Sequence, residues 1–301
     1  MLYNSIGATD MQASQIGLGC MSISGGPTKV NLDIVRRAFD GGITYYDTAD
    51  IYDKGLNENL LGQAVQGFRQ QVILATKVGN KWKSNDEGLD WCASAEHILK
   101  EVDASLTRLK TDYIDLYQLH GGTIEDPFDE VVEAFELLVK AGKIRAYGIS
   151  SIRPNVFLNY AEKSGISSNM MPYNILDRRP EEYFNAVENA QVDIVARGVL
   201  AQGLLINKPT KAYLHHTEAE VALAQRHIQR VADETGSTAT SIALRYAISP
   251  PSVKRLVVGI RSMKQLDDVL KAASMLTPLD MEMKEDLESG LRWEGYTSHL
   301  R

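Results

Sequence analysis

Short apolar runs recur along the chain and alternate with longer amphipathic stretches. The runs are QIGLGC (15–20), ITYYDTA (43–49), VILATKV (72–78), YIDLYQLH (113–120), RAYGIS (145–150), SNMMPYN (168–174), DIVARGVL (193–200) and RLVVGI (255–260). They show little polar alternation, so each predicts a strand buried on both faces. The stretches between them carry helical spacing. LDIVRRAFDGG ends in the glycines that close a helix. AEHILKEVDASLTRLK has apolar residues near every third and fourth position, and FDEVVEAFELLVKAGK does the same before it too ends at glycine.

Strands alternating with helices imply parallel β-α-β units. Eight units in a chain of 301 residues predict an α/β fold, a (β/α)8 or TIM barrel. No Pro/Gly/Ser-rich linker interrupts it, so residues 1–301 read as one domain. The opening LYNSIGATDMQAS predicts a small hairpin capping one end. Residues 217–248 predict two helices, and the tail after Pro278 one more helix and an irregular end. The competing fold is a doubly wound open sheet, which lacks support because no G-x-G-x-x-G follows the first strand.

Composition narrows the classes. Hydrophobic residues make up 44% and charged residues 24%, the balance of a soluble globular protein with a large core. A net charge of −7 argues against a nucleic-acid partner, though not against a local basic pocket for a small anion. Cys20 and Cys92 are the two cysteines, too few for a disulfide framework. The N-terminus has no basic start before an apolar core, and no apolar run approaches the roughly 18 residues of a membrane span. A cytoplasmic location without a membrane partner follows as the expectation.

In such a barrel, chemistry sits at the C-terminal ends of the strands. The second run ends near Asp47, with Tyr52 in the loop after it. The third ends in Lys77 and the fourth in His120. A tyrosine alone holds its proton too tightly to donate it readily at neutral pH. An ammonium within reach favours the phenolate, and a carboxylate beside the lysine keeps it charged and in place. A neutral histidine can hydrogen-bond a substrate oxygen. Together the four suit protonation of an alkoxide forming from a carbonyl. Each also has an ordinary use: Asp47 as a helix cap, Tyr52 in packing, Lys77 reaching for the surface or as a Schiff-base lysine, His120 in the core. Their occurrence at consecutive strand ends is what joins them.

These segments resemble the aldo-keto reductases, over nearly the whole chain. GGITYYDTADIYDKGLNENLLG carries the D-T-A-x-x-Y pattern followed by Glu and L-G. LATKVG, YIDLYQLH, GKIRAYGIS, GVLAQGLLINK and VVGIRSMKQLDDVL follow in the family's order. The resemblance implies a barrel without a Rossmann unit and NADPH-dependent reduction of a small-molecule carbonyl, or the reverse oxidation, without a metal. It implies Tyr52 as general acid/base, Lys77 as the group that tunes it, Asp47 as the partner of Lys77, and His120 as the residue that orients the carbonyl. The loop bearing Gly198, Leu200, Gln202 and Gly203 would border the cofactor. Gly259, Arg261, Ser262, Gln265 and Asp268 would grip its adenosine end, with Arg261 on the 2′-phosphate and Asp268 near the adenine amino group.

The chain also departs from the family. Ser150 fits the carboxamide site, but Ser151 stands where an Asn is usual and Met170 where a Gln is usual. The carboxamide would then keep fewer partners, each lost one costing about 1–3 kcal/mol. Arg197 replaces the aromatic residue that stacks on the nicotinamide. A guanidinium can stack, but its charge disfavours the oxidised ring, so the reductive direction is expected. Arg197 instead pairing with an acid is the alternative. Gly121 and Gly122 widen the mouth or loosen its loop. Met21, Trp82 and Trp91 are candidate substrate-lining residues, with packing against the rim as the ordinary reading of the tryptophans. Two other functions stay open: a regulatory barrel that binds nucleotide and catalyses little, and a Schiff-base lyase using Lys77.

Overall fold

A computed structural model describes residues 1–85 and 87–297. Eight parallel strands close into a barrel: β1 (Ile16–Gly19), β2 (Tyr45–Asp47), β3 (Ile73–Val78), β4 (Ile114–His120), β5 (Ile144–Ser150), β6 (Ser168–Pro172), β7 (Asp193–Arg197) and β8 (Val253–Gly259). Every strand lies within or overlaps one predicted run. The last strand pairs with the first, Leu256 opposite Ile16, and this closure rules out the open sheet.

The helices are α1 (Lys29–Asp40), α2 (Leu56–Ala64), α3 (Ala95–Leu109), α4 (Phe128–Lys140), α5 (Pro154–Lys163), α6 (Phe184–Asn189), α7 (Glu218–Glu234), α8 (Ala239–Ile248), α9 (Met263–Ala273) and α10 (Met281–Glu288). The two helices expected over 217–248 are α7 and α8. A reciprocal cap starts α7: the Thr217 hydroxyl accepts from the Glu220 amide, and the Glu220 carboxylate accepts from the Thr217 amide. The helix expected after Pro278 is α10; the end of the tail, from residue 298, lies outside the described residues.

The expected N-terminal hairpin pairs Tyr3–Ser5 with Gln12–Ser14. It closes the barrel floor, where Ile6, Met11 and Ala13 pack with Tyr45, Ile73, Ala75, Leu116, Ala146, Met170, Val195 and Val257. Arg255 pins it there: fully buried, its guanidinium donates to the Ser14 carbonyl (3.0 Å) and the Asn4 side chain (2.8 Å). Because side chains alternate along a strand, the residues two places beyond this apolar layer come next on the inside. They are Asp47, Lys77, Gln118 and Arg197, after Tyr45, Ala75, Leu116 and Val195. The packed floor thus delivers a polar layer to the C-terminal mouth.

A second hairpin, which the sequence pattern did not reveal, pairs Asn80–Trp82 with Leu89–Trp91 between β3 and α3. Among the described residues, no helix is long and apolar enough to cross a membrane.

Candidate active site

Lys77 is the centre of the mouth. Its Nζ donates to Asp47 Oδ1 and to the Thr48 carbonyl, each at 2.6 Å, and the side chain is 1% exposed. Burial alone would lower its pKa, but the Asp47 carboxylate and the nearby Tyr52 hydroxyl raise it above the ordinary lysine value. Lys77 is therefore a fixed cation at neutral pH. Burial pushes the Asp47 carboxyl upward, while Lys77 and Arg197 pull it back, leaving it raised.

Tyr52 lies across this pair. The Lys77 ammonium is 5.1 Å from its ring centroid, and the His120 ring meets it edge-on at 5.9 Å. Desolvation, and then the Lys77 and Arg197 charges, push His120 down to about 3. The imidazole is therefore neutral across the physiological range, and its Nδ1 is buried with no partner. The fold thus brings together all four residues that the sequence placed at consecutive strand ends.

Local sequence explains the rigidity. Asn57 in the first turn of α2 donates to the carbonyls of Cys20 and Ile23 (both 2.8 Å) and accepts from the Thr48 hydroxyl (2.7 Å). This cross-links the loops after β1 and β2 beside the Thr48 carbonyl that holds Lys77. Its neighbour Glu58 is fully buried and accepts from Thr76 (2.6 Å), Ser105 (3.3 Å) and Arg108 Nε (2.6 Å), tying α2 to β3 and α3.

Gln118 is a site residue that the sequence reading missed. It pairs in register with Lys77, is fully buried, and turns its side-chain amide toward the Asp47 carboxylate, whose charged form it favours. Its signal was a polar residue with inward parity in an apolar strand, two places before His120.

The profile of the aldo/keto reductase family matches residues 15–290. The chain is 44% identical to the uncharacterized oxidoreductase YqkF of Bacillus subtilis, over 99% of both chains. It superposes on the holo form of aldo-keto reductase AKR11C1 from Bacillus halodurans with a TM-score of 0.93, at 41% identity over 100% of both chains. It is 33% identical to the NADH-specific methylglyoxal reductase of Escherichia coli, over 69% of this chain and 70% of that one. The chain belongs to the aldo/keto reductase family.

As a member it is an oxidoreductase, and the remaining expected residues can be placed as a nicotinamide cofactor would meet them. Arg197 ends β7 exposed and makes no ion pair among the described residues, so the alternative in which it pairs with an acid does not occur. Its charge acts on Asp47, Lys77 and His120, which puts it over the same mouth. After it the chain bends sharply. Gly198 is left-handed (φ 66°) and open, and Ala201 and Gln202 hold the same region at 44° and 59°. Leu200 and Gly203 flank them in this turn.

Gly259, Arg261, Ser262 and Gln265 gather at the start of α9. The Ser262 hydroxyl accepts from the Gln265 amide, and the Gln265 side chain accepts from the Arg261 amide (2.8 Å). Arg261 and Asp268 are exposed. Beside Gly259, a side chain would run into Ser22 at 2.8 Å. With those two amides engaged, the corner still offers the Met263 and Lys264 amides of the first turn and an exposed Arg261 guanidinium, a set of donors that fits a phosphate.

Two residues fall elsewhere. Met170 is 1% exposed in the floor layer opposite Val195. It is below the mouth and cannot stand in for a carboxamide-binding Gln. Ser151 is also buried: its amide donates to Asn169 Oδ1 (3.1 Å), and its hydroxyl accepts from the Arg153 amide (3.3 Å). It secures the turn into α5. Ser150, at the end of β5 opposite His120, remains near the mouth. Met21, Trp82 and Trp91 are on the rim, 65%, 38% and 53% exposed.

Proposed function

We propose that this chain reduces an aldehyde or ketone to the alcohol with NADPH, using Tyr52 as the general acid. The observation that carries the reading is the Lys77 ammonium, fixed by two oxygens and set against the Tyr52 ring. When bound, the cofactor supplies a hydride to the carbonyl carbon. As charge develops on the carbonyl oxygen, the Tyr52 hydroxyl gives it a proton. Lys77 stabilises the phenolate left behind, and Asp47 holds Lys77. Neutral His120 offers a hydrogen bond to the carbonyl without competing as an acid. Donors fixed before reaction spare reorganisation in the transition state, and a positioned general acid contributes about 10²–10⁴-fold.

Arg261 at the start of α9 supports NADPH over NADH, and Arg197 over the mouth supports reduction over oxidation. The first rests on this chain's own residue, since one relative is named as NADH-specific. The Schiff-base reading loses ground because Lys77 is enclosed and its ammonium engaged. The regulatory reading draws on Ser151 and Met170, which leave the carboxamide with few side-chain partners.

The test is cofactor oxidation by the full-length protein with a panel of aldehydes and diketones, with NADPH and NADH in parallel. Turnover favouring NADPH is expected. Tight NADPH binding with no turnover across the panel would move the assignment to the regulatory barrel.

A further inference from the structure

The hairpin of Asn80–Trp82 and Leu89–Trp91 touches both sides of the mouth. On one side the Lys54 ammonium is 5.4 Å from the Trp82 ring centroid. Lys54 belongs to the turn just after Tyr52, where Asp53 and Lys54 are both left-handed (φ 50° and 52°). Residues other than glycine rarely adopt that conformation, so the surroundings must hold it.

On the other side Asn80 Nδ2 donates to the His120 carbonyl at 2.9 Å. The next residue, Gly121, has φ 104°, and a side chain there would come within 2.1 Å of the Trp91 ring. Trp91 therefore lies directly on the backbone that follows His120. Arg153 is 5.3 Å from the Trp91 ring centroid and donates to the Gly122 carbonyl (3.1 Å), which fixes the indole against that loop. The hairpin is joined to the end of β3 by the Cys92 amide donating to the Gly79 carbonyl (2.9 Å), just beyond Lys77. One short element thus contacts the turn after Tyr52, leaves from the strand carrying Lys77, and grips the main chain of His120.

We propose that this hairpin is a clamp that positions Tyr52 and His120 relative to each other, with Asn80, Trp82 and Trp91 as positioning residues. The inference rests on the roles proposed above for Tyr52 and His120. It assigns the polar insertion a task besides lining the substrate path. Gly121 follows from it as well: the site needs a residue without a side chain there so that Trp91 can close on the backbone. A misplacement of about 1 Å in a preorganised site can lower turnover on the order of 100-fold.

The test uses Asn80→Ala, Trp91→Ala and Trp91→Phe in the full-length protein, with Tyr52→Phe as control. The readouts are NADPH affinity, kcat and KM with short aldehydes such as propanal and methylglyoxal, and ring resonances of labelled Tyr52 and His120. For Asn80→Ala and Trp91→Ala we expect kcat to fall by about tenfold to 100-fold. NADPH affinity should stay within about twofold, since the hairpin follows β3 and the adenosine corner begins α9; KM should do the same in Asn80→Ala, and Trp91→Phe should recover most of the loss. Asn80→Ala, which removes no ring, should shift and broaden the Tyr52 and His120 signals whether or not a substrate turns over. Unchanged resonances, or an unchanged kcat with these short aldehydes, overturn the clamp. Turnover that survives in Tyr52→Phe overturns the catalytic roles instead, so the two failures are distinguishable.

Discussion

The two halves of the mouth are built on different terms. The half formed by β2, β3 and β4 is closed and interlocked: Lys77 and Asp47 are buried, their distances are short, and Asn57 and Glu58 lock the loops around them. The half formed by β6, β7, β8 and α9 is open: Arg197, Gln202, Arg261 and Asp268 are exposed, and strained backbone shapes the loop after β7. A proton-transfer group gains from low dielectric and fixed neighbours, where charge interactions are strongest. A site for a large phosphate-bearing cofactor gains from reachable donors and main-chain shape. The Asp47, Tyr52, Lys77 and His120 pattern is intact in the closed half, bordered by Gly121 and Gly122; of the departures at the cofactor residues, Arg197 stands exposed in the open half while Ser151 and Met170 are buried.

The largest break in that contrast is expected from Lys77→Met. Removing the cation leaves Asp47 buried without its partner, so we expect a loss of about 3 kcal/mol in denaturant unfolding. We also expect a fall of about 10²–10⁴-fold in kcat/KM. An equivalent change in the open half should be much smaller. Arg197→Tyr should tighten binding of the oxidised cofactor by about fivefold, roughly 1 kcal/mol, as a like charge leaves the ring. Equal effects on oxidised and reduced forms in a fluorescence titration would remove the basis for a reductive preference.

The smallest effect concerns pH. His120 titrates near 3 when folded and ordinarily near 6.5. The unfolded chain therefore takes up the proton first, so stability is full above about 6.5 and declines as pH falls from there toward 3. By pH 5 the loss should be on the order of 1 kcal/mol, since the ring is only partly enclosed. His120→Asn should flatten this part of the melting-temperature profile, and an unchanged slope would assign the acid sensitivity to other groups.

Much of this contrast was legible in the sequence. Apolar runs without alternation marked the eight strands because both faces of a barrel strand are buried, and strand-end position brought Asp47, Lys77 and His120 together. Depth along the barrel axis was not legible. Met170 has inward parity, but strand register sets its level, and it lies in the floor opposite Val195. Ser151 could not be separated from Ser150 without the Asn169 contact. The mouth hairpin stayed hidden because KWKSNDEGLDW lacks the alternation of a half-buried strand; its tryptophans are held by Lys54, Gly121 and Arg153, all distant in sequence.

The most direct test of the central claim is Tyr52→Phe, which removes a single oxygen from the closed half. The account predicts that NADPH affinity and melting temperature stay near wild type while single-turnover reduction falls by about 10²-fold or more. Reduction at the wild-type rate with Tyr52→Phe would contradict it, because the proton would then come from another group and the Lys77 arrangement would have no acid to serve.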